Sequence, residues 1–186
     1  MRDLTLSNPK GLAQWLRLYR LYLSAFPREE RKPFSVIWNM YRNKKTDIWF
    51  VSEQGTFLGF ATTINGSLIL LDYLAVAPKF RGQGIGTQIL LTLRKTYSGK
   101  GLFAEIESAY ECHPDQEERL RRKQFYLNCG MEQLNVMASV FGVKMELLGW
   151  NCHLTFADYQ AFYRDHYSPW AAQHIKQEHH PMEKGR

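Results

Sequence analysis

Gly82, Gly84 and Gly86 stand at alternate positions behind Arg81 and lead into a run with helical periodicity. Glycines so spaced let the backbone bend inward and expose successive N–H groups, and a helix starting directly after them adds the positive end of its dipole. A diphosphate is the natural occupant, with Arg81 as a cation at the mouth. Other phosphate patterns fit less well. A P-loop needs Gly-Lys-Ser/Thr, and Gly86-Thr87 lacks the lysine; a dinucleotide fingerprint needs Gly-x-Gly-x-x-Gly, and the last interval here is one residue short. A second group comprises Asp72, Glu105 and Glu107, acids in otherwise apolar strand-like stretches. Burying an acid carries a desolvation cost, so each has a task, catalytic or structural. Alternation puts Asp72 on the strand face of Leu74 and Val76, and Glu105 and Glu107 together on one face of the next strand.

Periodicity predicts the elements that position these groups. A short opening strand over 3–6 gives way at Ser7-Asn8-Pro9 to a helix with Leu12, Trp15, Leu16, Tyr19, Leu23 and Phe26 as its buried stripe, ended by Pro27. A second helix over 33–41 turns Phe34, Ile37, Trp38 and Tyr41 inward. Strands over 47–53 and 56–64 flank Gln54-Gly55, and Asn65-Gly66 gives the strongest hairpin signal before a nearly all-apolar strand over 67–76. A helix over 87–97 and a strand over 102–107 complete a βαβ unit, hence a parallel pair. A helix over 116–129 closed by Gly130, two strands meeting at Gly142, and a helix capped by Thr155 with Asp158 follow. The fold class expected is α/β with a mixed sheet, an antiparallel meander followed by a βαβ crossover. One domain over 1–172 and a flexible tail over 173–186 are expected.

The totals narrow the classes. With 186 residues, 45% hydrophobic and 23% charged, the chain is neither disordered nor a collagen nor a small disulfide scaffold. No apolar run approaches the ~18–20 residues that cross a bilayer. The start of the chain carries an acid and lacks a signal-peptide core, and its three cysteines form no CxxC, so a cytoplasmic protein away from membranes is expected. The +6 charge permits a polyanionic partner. The excess is scattered, with much of it at Arg42, Lys44, Lys45 and at Arg119, Arg121, Arg122 and Lys123, so nucleic acid is not expected as the partner. Zinc at Cys112-His113 and Cys152-His153 is not expected, because adjacent side chains rarely converge on one ion. Cys129 has no motif support as a nucleophile. The acids Glu29-Glu30 read as a solvated turn.

Leu74-Ala75-Val76 followed by Arg81-Gly82-Gln83-Gly84-Ile85-Gly86 resembles the GNAT superfamily of acyl-CoA-dependent N-acyltransferases, whose hallmark is Arg/Gln-x-x-Gly-x-Gly/Ala after a strand ending in an Ala-Val pair. The resemblance implies a splayed central parallel strand pair and acetyl-CoA as co-substrate, with no metal. It implies that Arg81 and Gly82, Gln83, Gly84, Ile85, Gly86 and Thr87 hold the coenzyme diphosphate, and that the backbone of Leu74, Ala75 and Val76 pairs with the pantetheine arm. Phe125-Tyr126-Leu127-Asn128-Cys129-Gly130-Met131 is similar to the family's Tyr-x-x-x-Gly-Phe helix end, which makes Tyr126 the proton donor to the leaving thiolate. Where many members carry Asn and Ala seven and four residues before that tyrosine, this chain has Arg119 and Arg122. The family's base is a carboxylate of varying position; Glu107 ranks first, then Asp72. The Val76 N–H is the oxyanion donor by the same resemblance.

The reaction this implies is direct acetyl transfer from acetyl-CoA to a primary amine, in a small molecule or a peptide. Trp38, Trp49 and Tyr73 are candidates for the acceptor cleft. A homodimer stays open. The alternative is a catalytically silent acyl-CoA-binding sensor or interaction module.

Overall fold

The structure, a computed structural model, describes residues 3–28, 30–110 and 113–179. Its strands form one eight-stranded mixed sheet in the order β1-β2-β3-β4-β5-β7-β6-β8, in which β4 and β5 are the parallel neighbours. These are β1 (Thr5–Ser7), β2 (Thr46–Glu53), β3 (Thr56–Asn65), β4 (Ile69–Val76), β5 (Leu102–Glu107), β6 (Glu132–Val140), β7 (Val143–Trp150) and β8 (Ile175–Glu178). The helices are α1 (Gly11–Ala25), α2 (Phe34–Arg42), α3 (Ile85–Thr96), α4 (Gln116–Asn128), α5 (Phe156–His166) and α6 (Pro169–Gln173). The chain gathers into two compact units, one of residues 1–65 and 71–96, the other of 66–70 and 97–186.

In the first unit, α1 packs on the sheet through Leu18, Leu21 and Tyr22, against Ile48, Phe60, Tyr73 and Ala75, with Ile37 of α2 in the same cluster. This corrects the expected stripe of α1. Leu12 is 74% exposed, and Leu16, Tyr19 and Leu23 are also on the surface. Helix α1 is apolar on two faces at helical spacing, and periodicity alone does not choose between them. The face carrying Trp15, Leu18 and Tyr22 wins because it brings a ring and a leucine onto β3 and β4. In α2, Ile37 and Met40 are buried while Trp38 lies 41% exposed, packed edge-on to Trp15.

Turn chemistry also moved. The tight β2–β3 turn is Gln54-Gly55, both at positive φ (48° and 77°), with Glu53 opposite Thr56. Asn65 instead ends β3, and Gly66 is not left-handed; an added Cβ there would lie 2.6 Å from His166 Nε2. A close approach, not a hairpin turn, explains that glycine. Phe141-Gly142 (φ 50° and 89°) makes the same kind of turn between β6 and β7.

In the second unit, Phe103 of β5 packs against Tyr159 and Phe162 of α5 at 6.3 and 5.3 Å between ring centroids. Helix α5 opens with the expected capping box: the Asp158 N–H donates to Thr155 Oγ1 at 3.2 Å and the Thr155 N–H to Asp158 Oδ2 at 3.0 Å. The stretch expected to be a tail includes one further strand among the described residues. Residues 175–178 form β8, paired antiparallel to β6 from Ile175↔Val140 to Glu178↔Met137, and buried Ile175 anchors it. Its four residues are too short for a sequence pattern to announce, and residues 180–186 lie outside the described chain.

Candidate active site

Strand β4 of the first unit alternates as expected. Tyr73 and Ala75 are buried under α1, while Asp72, Leu74 and Val76 share the other, half-buried face. Gly59 on β3 admits the close approach of this strand, because a Cβ there would sit 2.3 Å from the Ala75 carbonyl oxygen. After Val76, a single 3-10 turn over Pro78–Phe80 leads into the glycine segment. Gly82 and Gly84 adopt φ of 72° and 74°, values that favour glycine. A Cβ built at either meets nothing within 4 Å, so the space they leave is open.

The first bond of the α3 ladder beside this turn runs from the Gln88 N–H to the Gly84 carbonyl at 3.1 Å, so the amides of Gly84, Ile85 and Gly86 precede it as orphan donors of a helix start. Arg81 Nε donates to the Val76 carbonyl at 3.2 Å, which ties the cation to the end of β4. Exposed left-handed glycines, open space at their Cα atoms, a helix N-terminus and a tethered arginine fit a diphosphate.

Asp72 forms an ion pair with Lys32, from the segment between α1 and α2. Beside it the Tyr73 hydroxyl donates to the Glu30 carbonyl and accepts from the Lys32 N–H, both at 3.1 Å. Burial, with Asp72's charge adding, pushes the Tyr73 hydroxyl well above the usual tyrosine range. Tyr73 is thus part of the core, and Trp49 donates its indole N–H to Thr63 Oγ1 at 3.2 Å. Lys32 is a partner that the sequence reading did not single out; a cation 40 residues away carries no local signal.

In the second unit the carboxylates of β5 part company. Glu105 accepts from the hydroxyls of Tyr159 (2.8 Å) and Tyr163 (3.0 Å), which gives it a structural task under α5. Glu107 pairs with Arg119 of α4 at 3.0 Å, both side chains largely buried. Arg119 also reaches Asp115 at 2.9 Å, and His113, expected to be no metal ligand, bonds the same Asp115. The rest of the basic run is paired as well: Arg121 with Glu117, Arg122 with Glu118, and Lys123 with fully buried Glu146. Glu146 accepts a further bond from the Ala109 N–H at 2.7 Å. The sequence reading passed over this acid.

Tyr126 occupies the last turn of α4, which ends in a Schellman motif. The Met131 N–H reaches the Tyr126 carbonyl at 3.1 Å, the Gly130 N–H reaches Leu127 at 2.8 Å, and Gly130 is left-handed at φ 84°. Burial pushes the Tyr126 hydroxyl up to about 12, with the Arg122 charge opposing, so it is neutral at physiological pH. Burial likewise raises the Cys152 thiol to about 11, and Cys129 is buried at the end of α4. Cys112 and Glu29 lie outside the described residues. Among the described residues no cluster of three His, Cys, Asp or Glu could hold a metal ion, and no helix is long and apolar enough to cross a membrane.

Comparison with known proteins supplies the context. The sequence model of the Acetyltransferase (GNAT) family matches residues 15–131. YjbC of Bacillus subtilis (strain 168) is 31% identical over 132 residues, which cover 68% of this chain and 66% of that protein, just under two thirds of its length. A GNAT-family structure from Bacteroides thetaiotaomicron superposes with a TM-score of 0.72 at 16% identity, covering 91% of this chain and 98% of the other. Arabidopsis thaliana NAA60, solved with acetyl-CoA, gives 0.61 at 14% identity, covering 80% and 97%. An aminoglycoside 6'-N-acetyltransferase complexed with coenzyme A gives 0.63 at 14%, covering 80% and 96%.

Proposed function

The chain belongs to the GNAT acetyltransferase family, and from that premise we propose that it transfers acetyl from acetyl-CoA to a primary amine by direct attack. The observation that carries this reading is the exposed turn at Gly82 and Gly84, left-handed at both glycines and set at the start of α3. The Gly84, Ile85 and Gly86 amides and Arg81 hold the diphosphate, and the backbone of Leu74, Ala75 and Val76 aligns the pantetheine arm as an added strand. Structures in the same fold solved with acetyl-CoA or coenzyme A support the choice of co-substrate.

Acetyl-CoA supplies the activated acetyl group; the remaining tasks fall to the chain. A primary ammonium has a pKa of about 10, so freeing its lone pair at pH 7 costs about 4 kcal/mol. Glu107 receives that proton, directly or through water, with Asp72 the alternative. The Val76 N–H donates to the developing oxyanion. Tyr126 hydrogen-bonds the departing sulfur. With its hydroxyl at about 12 and a thiol at about 8.5, complete proton transfer is uphill by about 5 kcal/mol, so Tyr126 stabilises the thiolate by donation and keeps its proton, while the second proton, shed by the nitrogen as the tetrahedral adduct collapses, passes to the sulfur to give the free thiol.

The test is an acceptor screen that follows free thiol release across small amines, aminoglycosides, polyamines and peptide N-termini. Acetyl-CoA-dependent thiol release that requires an amine supports the transferase. Coenzyme binding with no release across the panel contradicts it and leaves an acyl-CoA-binding module.

A further inference from the structure

Within the first unit, a cavity of about 320 Å³ opens where the end of α1, the following segment and the start of α2 meet. Tyr19, Tyr22 and Phe34 give it an aromatic lining, and Arg28, Arg31 and Lys32 add three cations. The rings are braced before any ligand arrives. Tyr19 and Tyr22 meet Phe34 at 4.9 and 5.9 Å between centroids, and the Tyr22 hydroxyl donates to the Lys32 carbonyl at 2.7 Å.

The cations are placed unequally. Lys32 is paired with Asp72, and Arg31 Nη1 donates to the Leu23 carbonyl in the last turn of α1 at 3.3 Å. Among the described residues, neither Arg28 nor Arg31 pairs with a carboxylate, and Glu30 is not part of the lining. Positive charges gathered around aromatic faces repel one another and a cationic guest, and they favour an anion that brings its own ring. The guanidinium fork matches a carboxylate or phosphate with two parallel bonds, and ring edges accept an offset or T-shaped partner. The volume lies at the small end of the range for ligand sites, about 300–1,000 Å³, enough for one ring with a short acidic arm.

We propose that this cavity binds a small molecule that joins a planar ring to a carboxylate or phosphate. The turn between α1 and α2 therefore selects for negative charge, although its own sequence includes Glu29-Glu30. The inference stands apart from the acyl-transfer reading and needs no turnover to be tested.

Calorimetry of the full chain with 3-phenylpropionate and phenyl phosphate, against neutral 3-phenylpropanamide, reads it out. The two acids are expected to bind at least tenfold tighter than the amide. Arg28→Glu, at an exposed position, is expected to remove that advantage without altering amide binding or thermal stability, and Arg31→Gln to reduce it. Coenzyme A itself carries a planar adenine ring and phosphates, so the titration is repeated at saturating coenzyme A, where the acids are expected to bind unchanged. Equal affinity for acid and amide, no binding of either acid, wild-type affinity in Arg28→Glu, or displacement by coenzyme A would each overturn the assignment.

Discussion

Arg119 on α4 holds the Glu107 carboxylate of β5 at 3.0 Å and Asp115 at 2.9 Å with the same guanidinium. The position at which the chain departs from the resemblance thus carries a cation committed to the leading candidate base. The bond to Arg119 fixes the orientation of the largely buried Glu107 carboxylate and commits one of its oxygens to the guanidinium. That argues for a water between Glu107 and the ammonium, since water relays the proton without dissolving the pair.

The two carboxylates are separable by kinetics. Glu107→Gln is expected to lower kcat by about 100-fold or more, within the usual range for loss of a general base. Asp72→Asn is expected to cost less than tenfold in kcat, with its main effect on stability through Lys32. Steady-state assays of thiol release decide, and the reverse ranking would hand the proton to Asp72.

Tyr126 links function to alkaline stability. Burial raises its folded pKa to about 12 from an ordinary value of 10.0, so the folded state holds the proton more tightly than the unfolded chain. The stabilisation is complete below pH 10 and is lost as pH rises towards 12, by about 3 kcal/mol in all. Tyr126→Phe removes that part of the loss; the shares of Tyr22, Tyr73 and Tyr159, which burial also raises, remain. Urea unfolding across pH 9–12 measures the difference, and identical slopes would contradict it. The same variant should lower kcat by at least tenfold while coenzyme affinity stays put.

Lys123 and Glu146 form the most enclosed ion pair described, with the Glu146 side chain wholly buried. Removing the cation strands the acid, so Lys123→Met should destabilise by about 3–5 kcal/mol. Denaturant unfolding with a loss under 1 kcal/mol would show that Glu146 finds enough support in the Ala109 N–H alone.

The glycines should sort by mechanism. At Gly84 the space is open and only the left-handed φ penalises a side chain, so Gly84→Ala should cost about 1–2 kcal/mol. At Gly59 an added methyl strikes the Ala75 carbonyl in a paired strand, and Gly59→Ala should cost about 3 kcal/mol or more. Thermal unfolding checks the order, and equal losses would refute it.

Much of this architecture was legible because it rests on local signals. The strand before the glycines, the helix after them, the Thr155–Asp158 cap and the Gly130 helix end each announce themselves within a few residues. What was not legible depends on choices between equal local options or on distant partners. Helix α1 offers two apolar faces, and only contact with Phe60 and Tyr73 selects one. Asn65-Gly66 has the chemistry of a tight turn, yet packing against His166 uses its glycine for space. The fates of Asp72, Glu105, Glu107 and Glu146 were decided by Lys32, Tyr159, Arg119 and Lys123, partners 12 to 54 residues away, for which no spacing rule exists.

The central claim is that the turn at Gly82 and Gly84 grips a diphosphate, and Gly84→Asp tests it by setting a negative charge in the open space beside those amides. Calorimetry with coenzyme A and with pantetheine, which lacks the diphosphate, is the measurement. The wild-type chain should bind coenzyme A at least 100-fold tighter than pantetheine, and Gly84→Asp should erase that advantage while remaining folded. A folded Gly84→Asp protein that binds coenzyme A as tightly as the wild type would contradict the account.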